Sequence, residues 1–369
     1  MLPDEFRINK VEAWPVVLPL REPFVVATGS MTAAHNVFVR IQLHNGAYGF
    51  GEMAPFPDIS GEDQPGCLAA LPSAAENLLG QSVVYWRRLA YELSQNTMEV
   101  PAVRCGLETA LVDALCRGMG LPLWALWGGA DVRQRQTDVT LPIGETAQVV
   151  ETARRWFDRG FRVFKMKVGQ DVETDIQRVV AVYQVLPTAS FVIDANQGFT
   201  ADQTLSFLGA VQRLQIPVLL LEQPVHREDR EALIYVHQHS AIPIAADESL
   251  RSLSDAEQLI REQAVDVFII KITKCGVMES VNIINLARAA GIRLMIGGMV
   301  ESRVAMGCSF SLVLGLGGFE FIDLDMPLLL DQDPITGGYR YEGHSLLPWE
   351  TPGLGQEFFS DSGPTMVIQ

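Results

Sequence analysis

Charged residues recur at the ends of short apolar runs in this 369-residue chain: Lys165-Met166-Lys167, Asp194-Ala195-Asn196, Glu222-Gln223-Pro224, Asp247-Glu248-Ser249, Lys271 and Asp323-Leu324-Asp325. From Lys167 the steps to Asp194, Glu222, Asp247 and Lys271 are 27, 28, 25 and 24 residues, each about one strand-plus-helix unit. Three carboxylates gathered at one mouth repel one another unless a cation neutralises them. An all-oxygen set without Cys or His suits a hard ion, Mg²⁺ best. The plainer alternative has each acid capping the helix after it, which explains one acid more easily than three in register. Lys167 and Lys271 fall four units apart, so in a ring of eight they face each other with the acids between. Two amines on opposite faces of a bound molecule suit a proton swap, one removing a proton and the other returning it from the far side. Lys165 lies two residues before Lys167 on the same strand face, and its charge would lower the pKa of its neighbour toward a usable base. Two other readings of the lysines stand beside this one: pairing with the carboxylates alone, or a Schiff base, which needs no gathered acids.

The spacing demands a repeating unit, and the chain supplies one. Apolar, β-branched runs recur at Asp138–Ile143, Val163–Val168, Phe191–Ala195, Val218–Glu222, Ile242–Asp247, Val265–Ile272, Arg293–Ile296 and Phe319–Leu324. Amphipathic stretches such as Ala147–Arg159, Asp175–Val185 and Glu279–Ala290 separate most of them. Near-continuous apolar strands need a sheet covered on both faces. Eight such units predict a (β/α)8-type barrel, with a (β/α)7β variant allowed, and its active groups sit at the strand C-termini. A doubly wound open sheet competes, but no G-x-G-x-x-G follows the first strand. Residues 8–53 read as β-rich, and 66–128 as helices divided by Pro72, Gly80 and Pro101 and closed by Gly118 and Gly120. Together they make a separate α+β domain. The expected division is 1–130, 131–330 for the barrel, and a tail from 331 to 369 that packs back on the first domain.

Composition narrows the partners. The 28 Lys plus Arg against 44 Asp plus Glu leave a formal charge of −16, so phosphates are repelled and neither nucleic acid nor an anionic membrane is expected. No apolar run reaches a membrane span. Met1-Leu2-Pro3-Asp4-Glu5 opens without the basic and apolar regions of an export signal. Five cysteines, with no C-x-x-C, suit buried thiols in a reducing compartment. A cytoplasmic location is the expectation.

The K-x-K at 165–167, the acids of DANQG, EQP and ADES, and the lysine opening Lys271-Ile272-Thr273-Lys274 resemble the enolase superfamily, in particular its muconate-lactonizing-enzyme subgroup. The likeness covers essentially the whole chain and implies that the α+β domain caps the barrel. It implies Asp194, Glu222 and Asp247 as ligands of one Mg²⁺ per subunit, Lys167 and Lys271 as an acid/base pair supported by Lys165, and a homo-oligomer. Such sites stabilise an enediolate formed when an α-proton leaves.

The subgroup hosts several reactions: cycloisomerisation, o-succinylbenzoate synthesis, N-acylamino-acid racemisation and dipeptide epimerisation. Asp323-Leu324-Asp325 favours the last, because an anionic pair opposite the metal welcomes the free ammonium of a dipeptide and repels doubly anionic substrates. The D-x-D resembles the marker of dipeptide epimerases; two acids at a loop edge are the plainer alternative. Pro23–Ser30 looks like the first substrate-covering loop. Where Ala-Glu epimerases carry an Arg, this chain has Thr28, so a non-acidic C-terminal residue is expected. Gly298 and Met299, after strand seven, leave room for a larger side chain, and Thr140 on strand one lines the pocket or serves the core equally well. A barrel that binds metal or ligand without turnover is the rival from another class.

Overall fold

The computed structural model describes residues 4–358, 360 and 363–369. Met1-Leu2-Pro3, part of the stretch read for an export signal, lies outside them. The long strands β1 (Ile8–Val26) and β2 (Gly29–Leu43) form an antiparallel hairpin that turns at Ala27-Thr28, and β3 (Tyr48–Met53) pairs with β2. Three helices follow: α1 (Gln64–Glu76), α2 (Trp86–Asn96) and α3 (Pro101–Met119). Pro101 opens α3, where its missing N–H costs nothing, and Gly120 closes it in the left-handed conformation. Pro72 does not divide the stretch as expected. α1 runs through it and forgoes one backbone hydrogen bond.

Eight parallel strands then run in sequence order around one sheet: β4 (Val139–Leu141), β5 (Val163–Lys167), β6 (Ser190–Asp194), β7 (Val218–Glu222), β8 (Ile244–Ala246), β9 (Val267–Ile270), β10 (Arg293–Ile296) and β11 (Phe321–Ile322). A backbone hydrogen bond from Asp138 N to Ile322 O (3.0 Å) joins the last strand to the first. The intervening helices are α4 (Thr146–Asp158), α5 (Val172–Val185), α6 (Ala201–Arg213), α7 (Arg230–His239), α8 (Leu253–Glu262), α9 (Val277–Ala290) and α10 (Arg303–Leu316). Side chains fix several of their starts: Asp171 accepts from Thr174 N, Thr200 and Gln203 form a capping box, and Ser252 accepts from Asp255 N. After β11 only one helical turn follows, α11 (Met326–Leu329). The barrel is therefore the (β/α)7β variant.

Alternation along the strands explains where the chemistry lands. Val192, Leu220, Ala245, Ile269 and Met295 form an apolar plug inside the barrel. Two residues further on in each strand stand Asp194, Glu222, Asp247, Lys271 and Gly297, which continue the inward-facing file past the plug. The tail returns to both parts of the molecule. Met366–Ile368 pairs antiparallel with β1, and Ser345–Leu347 pairs with Arg135–Gln136 at the barrel entrance.

Candidate active site

Strand register brings the acids together. Lys167 lies opposite Asp194, and Asp194 opposite Glu222, with Asp247 just past the end of β8. All three carboxylates are buried. Burial alone would raise Asp194, but Lys167, Lys165 and Lys271 outweigh it and hold the group below the usual carboxylate range. Asp247 is likewise held down against burial by Lys271 and Lys274. Glu222 goes the other way: burial, then the charge of Asp194, pushes its carboxyl well up.

Both Glu222 oxygens are buried without a well-directed hydrogen bond. Lys165 Nζ stands 2.8 Å from Oε2 and Lys271 Nζ 3.7 Å from Oε1, contacts that supply charge without hydrogen-bond direction. An oxygen-only trio on neighbouring strands, with one member short of partners, fits a hard divalent cation. Ammonium groups lie among these acids, which do not form one of the close carboxylate groups found among the described residues.

Lys167 Nζ donates to Asp194 Oδ2 (2.6 Å) and Lys271 Nζ to Asp247 Oδ2 (2.6 Å). The two lysines belong to the second and sixth strands of eight, on opposite sides of the ring, and line one cavity. Lys165 touches Asp323 (2.7 Å), Glu222 (2.8 Å) and Asp194 (3.2 Å), so its charge is shared among three carboxylates. Burial would lower the Lys165 and Lys271 ammoniums, but the acids around them push both up.

Asp323 lines the same cavity. Asp325 stands behind it, fully buried, accepting from Thr140 N at 2.5 Å. β11 ends at Ile322, so the D-x-D lies beyond the strand and only its first carboxylate reaches the cavity wall. With Asp138 these two acids bring oxygens within 4.8 Å of one another. Burial and the charge of Asp323 push Asp325 up to about 7, and the same two causes, with Asp325, raise Asp138 well above the usual range.

The capping sheet closes the cavity. Phe24, Val26, Phe56 and Ile59 face Met299, Val300 and Met326 across it. Val25 O accepts from Ile143 N (2.9 Å), which pins the hairpin to the loop after β4. Gly169, at φ +109°, lies so close to the hairpin turn that a Cβ there would stand 2.9 Å from Ala27 Cβ. Thr28 itself sits exposed at the turn and is not among the residues lining the cavity, whereas Thr140, Gly298 and Met299 are. The space beside Gly297 is taken by Lys271 Cε and Asp323 Oδ2, at 3.3 and 3.4 Å from a notional Cβ. That beside Gly298 is taken by Met306 and by Glu301 Oε2. Both glycines thus make way for the protein's own side chains rather than for a larger substrate.

Sequence reasoning assigned no role to three neighbours of the site. Lys274 donates to Asp247 Oδ1 (2.7 Å) and to the carbonyls of Asp247 and Ile269 from a single turn, Ile272–Cys275. Asn196, at φ +41°, donates to the buried Glu248 (3.3 Å). Asp138 precedes β4 by one residue. The signal for Asp138 was its position two before Thr140, which places both on one strand face.

Comparison with known proteins finds likeness along nearly the whole chain. Residues 9–128 match the family model for the mandelate racemase / muconate lactonizing enzyme N-terminal domain, and 148–362 match the enolase C-terminal domain-like model. An aromatic dipeptide epimerase of Herpetosiphon aurantiacus is 42% identical over 94% of this chain and 98% of its own length. A hydrophobic dipeptide epimerase of Citrifermentans bemidjiense is 35% identical over 95% and 98%. Among solved structures, a dipeptide epimerase from Enterococcus faecalis V583, complexed with Mg and the dipeptide L-Leu-L-Tyr, superposes with a TM-score of 0.91 at 31% identity, covering 95% of this chain and 99% of that one.

Proposed function

We propose that this chain, which belongs to the mandelate racemase / muconate lactonizing enzyme family, is an isomerase: a Mg²⁺-dependent epimerase that inverts the α-carbon of the C-terminal residue of a dipeptide. One observation carries the reading. Lys167 and Lys271 line a single cavity from opposite strands, beside three buried carboxylates and Asp323. Asp194, Glu222 and Asp247 would hold the ion. Bound there, it would supply positive charge to offset these carboxylates and the charge that develops on a substrate carboxylate when the α-proton leaves.

The side chains do the rest. The Nζ of one lysine takes the α-proton from one face as the Cα–H bond breaks, and the other lysine donates a proton to the opposite face. Reversing their roles returns the starting epimer. Lys165 and Lys274 hold the acids in place through their ion pairs. Asp323 accepts the ammonium of the N-terminal residue, while Asp325 holds Thr140 N in the wall beside it. Phe24, Phe56, Ile59 and Met299 give the cavity an apolar cover, which supports a non-acidic and in particular apolar C-terminal side chain. Thr28 shapes the turn of the covering hairpin.

Five buried, unpaired cysteines support a cytoplasmic enzyme. No helix among the described residues is long and apolar enough to cross a membrane. Exposed Tyr85, Tyr91 and Met98 support a homo-oligomer.

The test is incubation of L-Ala-L-Phe with enzyme and Mg²⁺ in D₂O, followed by mass spectrometry and chiral separation. Epimerised product should carry solvent deuterium at the C-terminal α-carbon. Lys167→Ala and Lys271→Ala should each slow epimerisation by about a thousandfold, the usual range for a lost acid/base group. Product without label, or a Lys271→Ala enzyme that interconverts both epimers at the normal rate, would refute the two-lysine scheme.

A further inference from the structure

The short α11 leaves a gap on the outside of the barrel. Where a full eighth helix would flank α4, a cavity of about 230 Å³ opens between α4, Leu329 and the part of β1 that includes Leu20 and Phe24. Its wall is largely apolar, with Leu20, Phe24, Leu329 and the mostly buried Trp156 (7% exposed) in it. Phe24 and Thr140 line this cavity and the catalytic one alike, so the two lie side by side.

The rim is basic, which is out of character for a chain of net charge −16. Three arginines line the cavity. Arg155 is neutralised by Glu22 Oε1 at 2.6 Å. The other two are not neutralised: among the described residues neither Arg21 nor Arg159 forms an ion pair. Arg21 Nε donates to Leu330 O (2.8 Å), and the Arg159 guanidinium lies 4.1 Å above the Trp156 ring. Arg21 and Arg159 line the same cavity, and partial burial, then the charge of Arg21, pushes Arg159 below its ordinary value. An anion would give these two guanidiniums a charged partner, and the apolar floor accepts a hydrocarbon body.

We infer that this cavity is a binding site for a small apolar carboxylate, its carboxylate held by Arg21 and Arg159 and its ring or branched chain lodged against Leu20, Leu329 and the edge of Trp156. The site is separate from the catalytic one and does not depend on what reaction occurs there.

3-Phenylpropanoate is the probe. Titrated into the Mg²⁺-loaded enzyme by calorimetry and by tryptophan fluorescence, it should bind at one site, with a fluorescence change that Trp156→Phe abolishes. The neutral isostere 3-phenylpropanamide should bind at least about tenfold more weakly, as expected when charge-assisted hydrogen bonds are lost. Arg21→Gln/Arg159→Gln, a double change at exposed side chains, should weaken the acid by a similar factor and leave binding of the amide as in the parent. Lys271→Ala should bind the probe as the parent does. Four results would overturn the inference: no binding, equal binding of acid and amide, binding lost in Lys271→Ala but kept in the arginine variant, or binding of N-acetyl-Ala-Phe alone.

Discussion

Asp323 is in contact with both the cavity and Lys165, so its charge is already half committed before any substrate arrives. A free ammonium must share it. Asp323→Asn should therefore raise KM for dipeptides by about ten- to a hundredfold, the cost of one charge-assisted contact, and leave the affinity of N-acylated analogues nearly unchanged. Steady-state kinetics on both series checks this; equal losses would mean that Asp323 only anchors Lys165. The proposed metal ligands and Lys271 could be read in the sequence because one rule, two residues past the barrel plug, places them, and Lys167 follows Lys165 by the same step on the second strand. Lys274 and Asp138 escaped that rule. Lys274 lies on a single inserted turn too short to show a period, and Asp138 precedes its strand rather than ending it. Thr28 marks the opposite failure: spacing locates the hairpin turn but not how its side chain points.

The loop after β10 depends on the capping sheet. Glu52 on β3 accepts from Ser302 N (2.9 Å), Ser302 Oγ (2.7 Å) and Ala305 N (3.1 Å) at the start of α10, and from Asn36 Nδ2 (2.7 Å), which also donates to Val300 O. Burial raises the Glu52 carboxyl, and these donors oppose the rise. Glu52→Gln turns an amide toward donors that need an acceptor. Stability should fall by about 2 kcal/mol, read as a lower denaturation midpoint. KM should rise more than kcat falls, because Met299 and Val300 line the cavity without touching the reacting carbon. A drop in kcat alone would argue against this anchoring. All eight strands were legible as apolar runs because a doubly covered sheet leaves no polar face to blur them. The tail strands were not, since three-residue segments such as Ser345–Leu347 exist only through partners distant in sequence.

The two domains share buried charge, and this makes the fold sensitive to pH. Glu108 on α3 accepts from Met278 N (2.8 Å) at the start of α9, across the domain boundary. Burial holds its carboxyl up at about 7, against 4.5 for the free side chain. Between those values the folded protein keeps a proton that the unfolded chain releases, so this contribution to stability is complete below about pH 4.5 and is lost as pH rises through about 7. Glu108→Gln should remove roughly 3 kcal/mol of that decline, seen by comparing denaturant unfolding of the two proteins at about pH 5 and about pH 8. An identical decline in both would place the sensitivity elsewhere. The pairing of Met366–Ile368 with Val11–Ala13 carries a further consequence for biosynthesis. On the ribosome the sheet that bears the covering hairpin waits for its edge until after the whole barrel has been translated. A nascent chain therefore presents its active groups under an unfinished roof, and a chaperone that shields this sheet would act late, after the barrel has closed.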